Sequence, residues 1–381
     1  MAELAREVIC LFGLPFDVVT MGQTVRLVRE AVGSRQPLFL STPNLNFLIG
    51  CQHDAAFRQS VLDSDLSVAD GMPLIWMARW LGAPLPERVT GSGLFERLRD
   101  EPPPPGQAAI KVYFFGGPPG AAEAASLSLN AGALGMVCVG FETPGFGSVA
   151  DMSTPDVLAR INASGADFLV VALGAVKGQA WIQRNRAQLL VPVISHLGAV
   201  VNFAAGTVNR APVWVQKSGL EWLWRIKEEP TLWRRYWGDA KALVSLMLGQ
   251  LLPHARWLRR QPIPAPATLS LLPDGQNHRL SLQGAVFDPL PVAMLITLQQ
   301  AATVTTPLLL DLTQATGFGP GFAGQLLRLA QAMRLQNKPL QITRLPPLMK
   351  RLFGWNGLTD LILLSEEYQT PNASEANASK K

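Results

Sequence analysis

The sequence predicts an α/β protein in two parts, a larger, mostly parallel sheet followed by a smaller α/β unit. Apolar runs of strand length alternate with helix-like stretches between residues 37 and 199, the pattern left by strands that are buried on both faces. Glycine-bearing loops follow most of these runs, and the proline-rich QPIPAPA (261–267) interrupts the chain before the alternation restarts.

In order, PLFLST (37–42) reads as a strand leading into a helical segment, and DLSVAD (65–70) as a strand that ends at Gly71 and runs into PLIWMARWLG. KVYFFGG (111–117) precedes the helical PGAAEAASLSLNAG, and MVCVGFE follows as a strand. ADFLVVALGA (166–175) precedes QAWIQRNRAQLL, and VPVISHLGA closes the series; EPPPPGQ (101–107) connects the halves of this region. Beyond it, ATLSLL, HRLSLQG and PLLLDL read as strands, GFAGQLLRLAQAMRLQ (321–336) has helical spacing, KPLQIT is another strand and PPLMKRLFGWNGL a final helix. The expected divisions are a first domain over 1–210, an appendage over 211–260, a second domain over 265–365 and a polar, disordered tail over 366–381.

Composition excludes several classes. At 48% hydrophobic residues the chain can build a large core, so disorder throughout is ruled out. The longest apolar run, Ala242 to Leu252, is about half of the ~20 residues a spanning helix needs, so no transmembrane helix is predicted. The start, MAELAREVICLFGLPF, lacks the basic and long apolar regions of a signal peptide, which points to the cytoplasm. Cys10, Cys51 and Cys138 lie far apart and the four histidines are scattered, which argues against a disulfide framework or a structural metal. The net charge of +5 is uneven: Arg210 to Arg260 holds ten Lys/Arg against four Asp/Glu, and six of the ten tryptophans. Trp with Lys/Arg on apolar helices suits the membrane interface and anionic lipid, and equally suits an amphipathic helix packed on its own domain. Nucleic acid is a poorer partner, because the rest of the chain offers no basic surface or binding motif.

Ligands of parallel α/β sheets bind beyond the carboxyl ends of the strands. Asp70 ends one such strand, where a carboxylate can act as general base toward a hydroxyl nucleophile; Asp70-Gly71 also fits a plain turn. Asp63-Ser64-Asp65 has the form of a metal-chelating DxD but precedes its strand, and reads as a solvated turn or helix cap. Gly116-Gly117, followed by Pro118, Pro119 and Gly120, lets backbone approach a diphosphate or simply turns the chain; it lacks the GxGxxG spacing. Glu87 to Ser92 offers an arginine and two hydroxyls, suited to phosphate oxygens or to a helix N-cap.

Taken in order, STPN (41–44), VADG (68–71), PERVTGS (86–92), FFGGPPG (114–120), ALGA (172–175) with Trp181, and AGTVNRAP (205–212) resemble the WecG/TagA/CpsF glycosyltransferases, from about Leu11 to Trp237. The resemblance implies a Rossmann-like domain and an inverting hexosyl- or N-acetylhexosaminyltransferase without a metal or other cofactor. Its donor would be a nucleotide sugar such as a UDP-sugar, and its acceptor a polyprenyl-diphosphate-linked saccharide, in exopolysaccharide or cell-wall polymer synthesis. It implies Asp70 as catalytic base, with Thr42 and Arg88 beside it. Asn44, Thr90, Gly91, Ser92, Gly116, Gly117, Gly174, Gln179, Gly198 and Arg210 then line the substrate pocket. Arg225, Arg234 and Arg235 of the appendage help hold the diphosphate, with the protein peripheral on the inner face of the bacterial plasma membrane.

The chain departs from the family pattern in three places. The usual Gly-Ala-Pro-Lys-Gln-Glu reads Gly174-Ala175-Val176-Lys177-Gly178-Gln179, so Gly178 stands at the glutamine position and Gln179 substitutes by a shift of one residue. Gly93 replaces an aspartate, and Val201-Asn202-Phe203 replaces Phe-Asp-Phe. These changes point to a changed donor, or alternatively to a degenerate, non-catalytic scaffold that holds lipid-linked saccharide. The last domain resembles a STAS domain through Leu309 to Thr313, the helix 321–336 and PPLMKRLFGWNGL. The serine that regulatory members phosphorylate has no counterpart in Gly319-Pro320-Gly321-Phe322, so the expected role is binding a protein partner or docking on the transferase.

Overall fold

The computed structural model describes residues 6–83, 85–206, 212, 215, 221–228, 233–261, 267–338, 340–343 and 345–360. It forms two compact units, one of Val19–Trp76 with Leu85–Val244, the other of Met1–Val18 with Met77–Pro84 and Ser245–Lys381. The chain opens with an antiparallel hairpin of the second unit, β1 (Val8–Leu11) and β2 (Leu14–Asp17).

The larger unit continues with α1 (Met21–Ser34), β3 (Leu38–Ser41), α2 (Leu45–Gly50), α3 (Ala55–Leu62), β4 (Leu66–Ser67), the first part of α4 (Met72–Trp80), which passes to the smaller unit at Met77, and α5 (Gly91–Asp100). Then come β5 (Ile110–Gly116), α6 (Ala121–Gly132), β6 (Met136–Glu142), α7 (Pro155–Ala163), β7 (Phe168–Ala172), α8 (Ala175–Asn185), β8 (Val193–His196), α9 (Gly198–Ala204), α10 (Glu221–Glu228) and α11 (Trp233–Leu246). The six strands pair in parallel in the order β4-β3-β8-β7-β5-β6, the Rossmann-like sheet expected. Alternate strand residues face opposite sides. Leu40, Phe114, Val170 and Val193 enter one core with residues of α1, α5, α6 and α9. Phe39, Phe115, Val171 and Ile194 enter another, which includes Trp181 and Ile182 of α8. Coverage on both sides is why the strands read as unbroken apolar runs. Helix α1 starts at a capping box between Thr20 and Gln23.

Trp181, one of the resemblance-bearing residues, belongs to this core: it is fully buried, its ring lies 4.4 Å from that of Phe115, and Nε1 donates to the Met152 carbonyl at 2.8 Å. Trp181→Phe removes that donor and leaves a void, and is expected to cost about 2 kcal/mol in a urea denaturation series.

The smaller unit contains α12 (Leu252–Arg259), β9 (Thr268–Asp274), β10 (Asn277–Val286), α13 (Val292–Thr303), β11 (Leu308–Phe318), α14 (Pro320–Leu335), β12 (Gln341–Ile342) and α15 (Pro347–Trp355). Its sheet runs β12-β11-β10-β9, with β10, β11 and β12 parallel and β9 antiparallel at the edge. Helix α13 was not legible in the sequence, because VAMLITLQQAAT mixes β-branched and apolar residues without a clean polar face. The hairpin β1–β2 packs on α14. Gln325 donates to the Arg6 carbonyl at 2.9 Å, and buried Asp17 accepts from Arg6 and Arg328 at 3.0 and 3.2 Å. Gly324 brings α14 so close to β1 that an added Cβ would lie 2.3 Å from the Val8 carbonyl oxygen. Residues 6–18, which the sequence reading groups with the first domain, therefore pack in this unit, as do residues 245–260 of the expected appendage. The linker residues 262–266 and the tail lie outside the described residues.

Candidate active site

Because the sheet is parallel, the loops after β3, β4, β5, β7 and β8 share one edge. There the Asp70 amide donates to the Pro43 carbonyl at 2.9 Å and the Val89 amide to the Ala69 carbonyl at 3.0 Å, which ties three of the motifs together. The Gly91 amide donates to Asp70 Oδ2 at 3.2 Å, fixing the part-buried carboxylate at the first turn of α5. Gly91 has to be glycine: a Cβ there would sit 2.5 Å from Leu197 Cδ2 and 3.3 Å from Thr42 Oγ1. Asp70, Thr42, Gly91 and the β8–α9 junction thus meet at one place.

Asn44 caps α2 by accepting from the Phe47 amide at 3.2 Å, and Thr90 caps α5 by accepting from Gly93 at 3.0 Å. Arg88 and Ser92 flank Thr90 and are partly buried. Gly116 and Gly117 adopt left-handed φ values of 99° and 95°, and a Cβ on Gly116 would lie 2.7 Å from the Ala172 carbonyl oxygen. Gly174, at φ 82°, starts α8 with nothing among the described residues within 4 Å of where its Cβ would be, which leaves its backbone open to a ligand there.

Other expected residues are placed differently. Gln179 is fully buried and donates to Ser41 Oγ at 3.0 Å, next to Thr42 in sequence. Asp63 is buried and accepts from Gln59 at 2.8 Å and from Gln183 of α8, and Asp65 accepts from the Phe39 amide of β3 at 2.6 Å, so both DSD carboxylates tie distant elements together instead of forming a solvated turn. Among the described residues no three His, Cys, Asp or Glu side chains are grouped to hold a metal. Arg210 and most of AGTVNRAP, and the side chains of Arg225 and Arg235, lie outside the described residues; Arg234 is exposed beside the Trp233 ring.

In the sequence His196 is one of four scattered histidines. It ends β8 at this edge, is buried, and takes the space beside position 178, where a Cβ would come within 2.2 Å of its Cδ2. The signal was the pairing of a glycine at 178 with a histidine at 196, visible only once their strand and helix are adjacent. Burial pushes the His196 pKa down from 6.5 to about 4, and that of His254, stacked on Trp355 in the other unit, likewise to about 4. The unfolded chain then binds protons first. Stability is complete above pH 6.5 and falls as the pH drops toward 4, by up to about 1.4 kcal/mol per pH unit for each histidine. Urea midpoints at pH 7 and pH 5 check this, and His254→Phe should reduce the difference.

In α11, buried Asp239 accepts from Asn46 at 3.4 Å, which holds that helix to α2 next to Asn44. Trp233, Trp237 and Val244 are exposed at helical spacing on the helix, with Lys241 over the Trp237 ring. Among the described residues no helix is long and apolar enough to cross a membrane.

Residues 9–256, which include all of these motifs, match the family model described as the glycosyl transferase WecG/TagA/CpsF family. The chain belongs to that family. Similar WecG/TagA/CpsF relatives include an N-acetylglucosaminyldiphosphoundecaprenol N-acetyl-beta-D-mannosaminyltransferase of Bacillus spizizenii, 25% identical over 212 residues, 55% of this chain and 78% of the relative. A protein of the same name from Staphylococcus aureus is 25% identical over 239 residues, 62% of this chain and 89% of the relative. The WecG/TagA/CpsF match ends within α12, before β9 of the smaller unit begins.

Proposed function

We propose that the chain is an inverting N-acetylhexosaminyltransferase that needs no metal. It moves a sugar from a nucleoside diphosphate donor, a UDP-sugar in the simplest case, to a polyprenyl-diphosphate-linked N-acetylglucosamine in cell-wall polymer or exopolysaccharide synthesis. The observation that carries this reading is the anchoring of Asp70 by the Gly91 amide next to Thr42 at the carboxyl edge of the sheet. The names of the relatives supply the substrate class.

Asp70 takes the proton of the acceptor hydroxyl as its oxygen attacks the anomeric carbon from the face opposite the nucleotide. The new carbon–oxygen bond forms while the bond to the diphosphate breaks, and the nucleoside diphosphate leaves with that electron pair. Its charge is met by Arg88 and by backbone amides at the Gly116-Gly117 and Gly174 turns. The acceptor is lipid-borne, and the exposed Trp233, Trp237 and Val244 of α11 suit the headgroup level of the cytoplasmic leaflet. Trp233→Ala with Trp237→Ala should reduce flotation with anionic vesicles several-fold; equal flotation removes the membrane role.

The smaller unit, with one antiparallel edge strand and three parallel strands alternating with helices, supports a STAS-like docking module for a protein partner. The Asp288 carboxylate fills the start of α14, where it accepts from the Gly321 amide at 3.1 Å, which agrees with the lack of a phosphorylatable hydroxyl there.

The buried Gln179 amide favours the second reading, a non-catalytic scaffold for lipid-linked saccharide. Incubating the purified protein with a panel of UDP-N-acetylhexosamines and a polyprenyl-diphosphate N-acetylglucosamine acceptor, with and without EDTA, separates the two. Chelator-resistant transfer with inverted anomeric configuration supports the enzyme. Neither transfer nor donor hydrolysis with any nucleotide sugar supports the scaffold.

A further inference from the structure

His196 is the last residue of β8, a central strand flanked by β3 and β7, so it sits where the loops carrying Thr42 and Gly174 diverge. The next residue, Leu197, packs on Gly91, which is bonded to Asp70. The imidazole is 8% exposed and, among the described residues, its buried Nε2 has no hydrogen-bond partner. An unpaired buried ring nitrogen costs free energy unless another state of the protein satisfies it. The ring is held tightly. A Cβ at position 178 would meet Cδ2 at 2.2 Å, one at position 198 would meet Nε2 at 3.2 Å, and the Phe47 ring lies 6.1 Å away. Two glycines thus make room for a ring at a site edge, and one of them stands where a glutamine is expected.

We propose that His196 is a specificity-determining residue of the transferase site, and that Nε2 hydrogen-bonds the nucleotide-sugar donor when the donor binds. The inference rests on the glycosyltransferase reading above and deepens it. The donor is favoured over the acceptor because Val171, the register partner of His196 in β7, lies three residues before Gly174, whose open backbone suits the diphosphate. Burial keeps the imidazole neutral at cytoplasmic pH, so Nε2 can donate or accept according to tautomer and can pair with a hydroxyl, a uracil edge or an acetamido group. The exchange of a flexible amide at 178 for a fixed ring at 196 narrows the donors accepted, because the ring cannot follow a displaced partner atom.

The test is steady-state kinetics of the full chain with the best UDP-N-acetylhexosamine found in the panel, comparing wild type with His196→Phe and His196→Asn. Phenylalanine keeps the ring volume and removes Nε2; its KM for the donor should rise 10- to 100-fold with kcat within a few-fold and the thermal midpoint unchanged or higher. Asparagine restores a donor and an acceptor and should recover part of that loss. The variant Gly178→Gln with His196→Gly exchanges the two side chains and should change the order of preference within the panel. If wild type transfers sugar and His196→Phe has the same donor KM and the same order of preference, the proposal falls while the glycosyltransferase reading stands. If wild type transfers from no donor, both fall. A parallel loss of KM, kcat and thermal midpoint in His196→Phe would mean a structural role and also overturns it.

Discussion

Asp70→Asn lowers the turnover for sugar transfer by about 10²- to 10⁴-fold, the range for removing a positioned general base. The amide has nearly the shape of the carboxylate, and its oxygen can still accept from the Gly91 amide that now bonds Asp70 Oδ2 at 3.2 Å, so the turn and the start of α5 are kept. What is lost is the capacity to take a proton from the acceptor hydroxyl. The donor KM should stay within a few-fold and the thermal midpoint within a degree or two, measured on the same preparation. Unchanged turnover would show that another group is the base; a fall in the midpoint that tracks the loss of activity would show that Asp70 mainly holds the loop.

Asp17→Ala destabilises the smaller unit by about 3–5 kcal/mol, the cost of removing the carboxylate that a buried arginine faces. The Asp17 side chain is inaccessible, and Arg328 on α14 is 3% exposed and 3.2 Å from it. Arg6, more exposed, supplies a second contact at 3.0 Å and contributes less. Asp17→Ala with Arg328→Leu removes both members of the inner pair and should recover most of the loss. Because the hairpin lies far from α14 in sequence, removing residues 1–18 should destabilise the smaller unit at least as much. Chemical denaturation followed by far-ultraviolet circular dichroism is the measurement. A cost below 1 kcal/mol for Asp17→Ala would show that the hairpin is an accessory rather than part of that unit.

Most of the parallel sheet was legible because burial on both faces leaves unbroken apolar runs such as VYFF and FLVVA. Asp70 was legible as a candidate because it stands at the end of such a run, before a glycine. The partner of Gln179 was not: a shift of one residue on a helix turns a side chain by about 100°, and here Nε2 meets Ser41 Oγ on another strand. The role of Trp181 as core rather than site follows from the same helix, whose inner face also carries Ile182. Helix α13 escaped because its composition suits strand and helix alike.

By itself, the sequence determined the class of fold, the family and the carboxylate at the strand end, because each is written in local pattern: apolar run, glycine, short polar motif. Only the tertiary structure decided that residues 6–18 pack with the C-terminal unit, that Gly91 is bonded to Asp70, and that His196 occupies the space beside Gly178. These are contacts between residues up to about three hundred positions apart, and no local spacing encodes them. They exist because a chain that buries its apolar surface brings strand ends and distant segments to one place, and steric fit and hydrogen bonding there select which side chains meet.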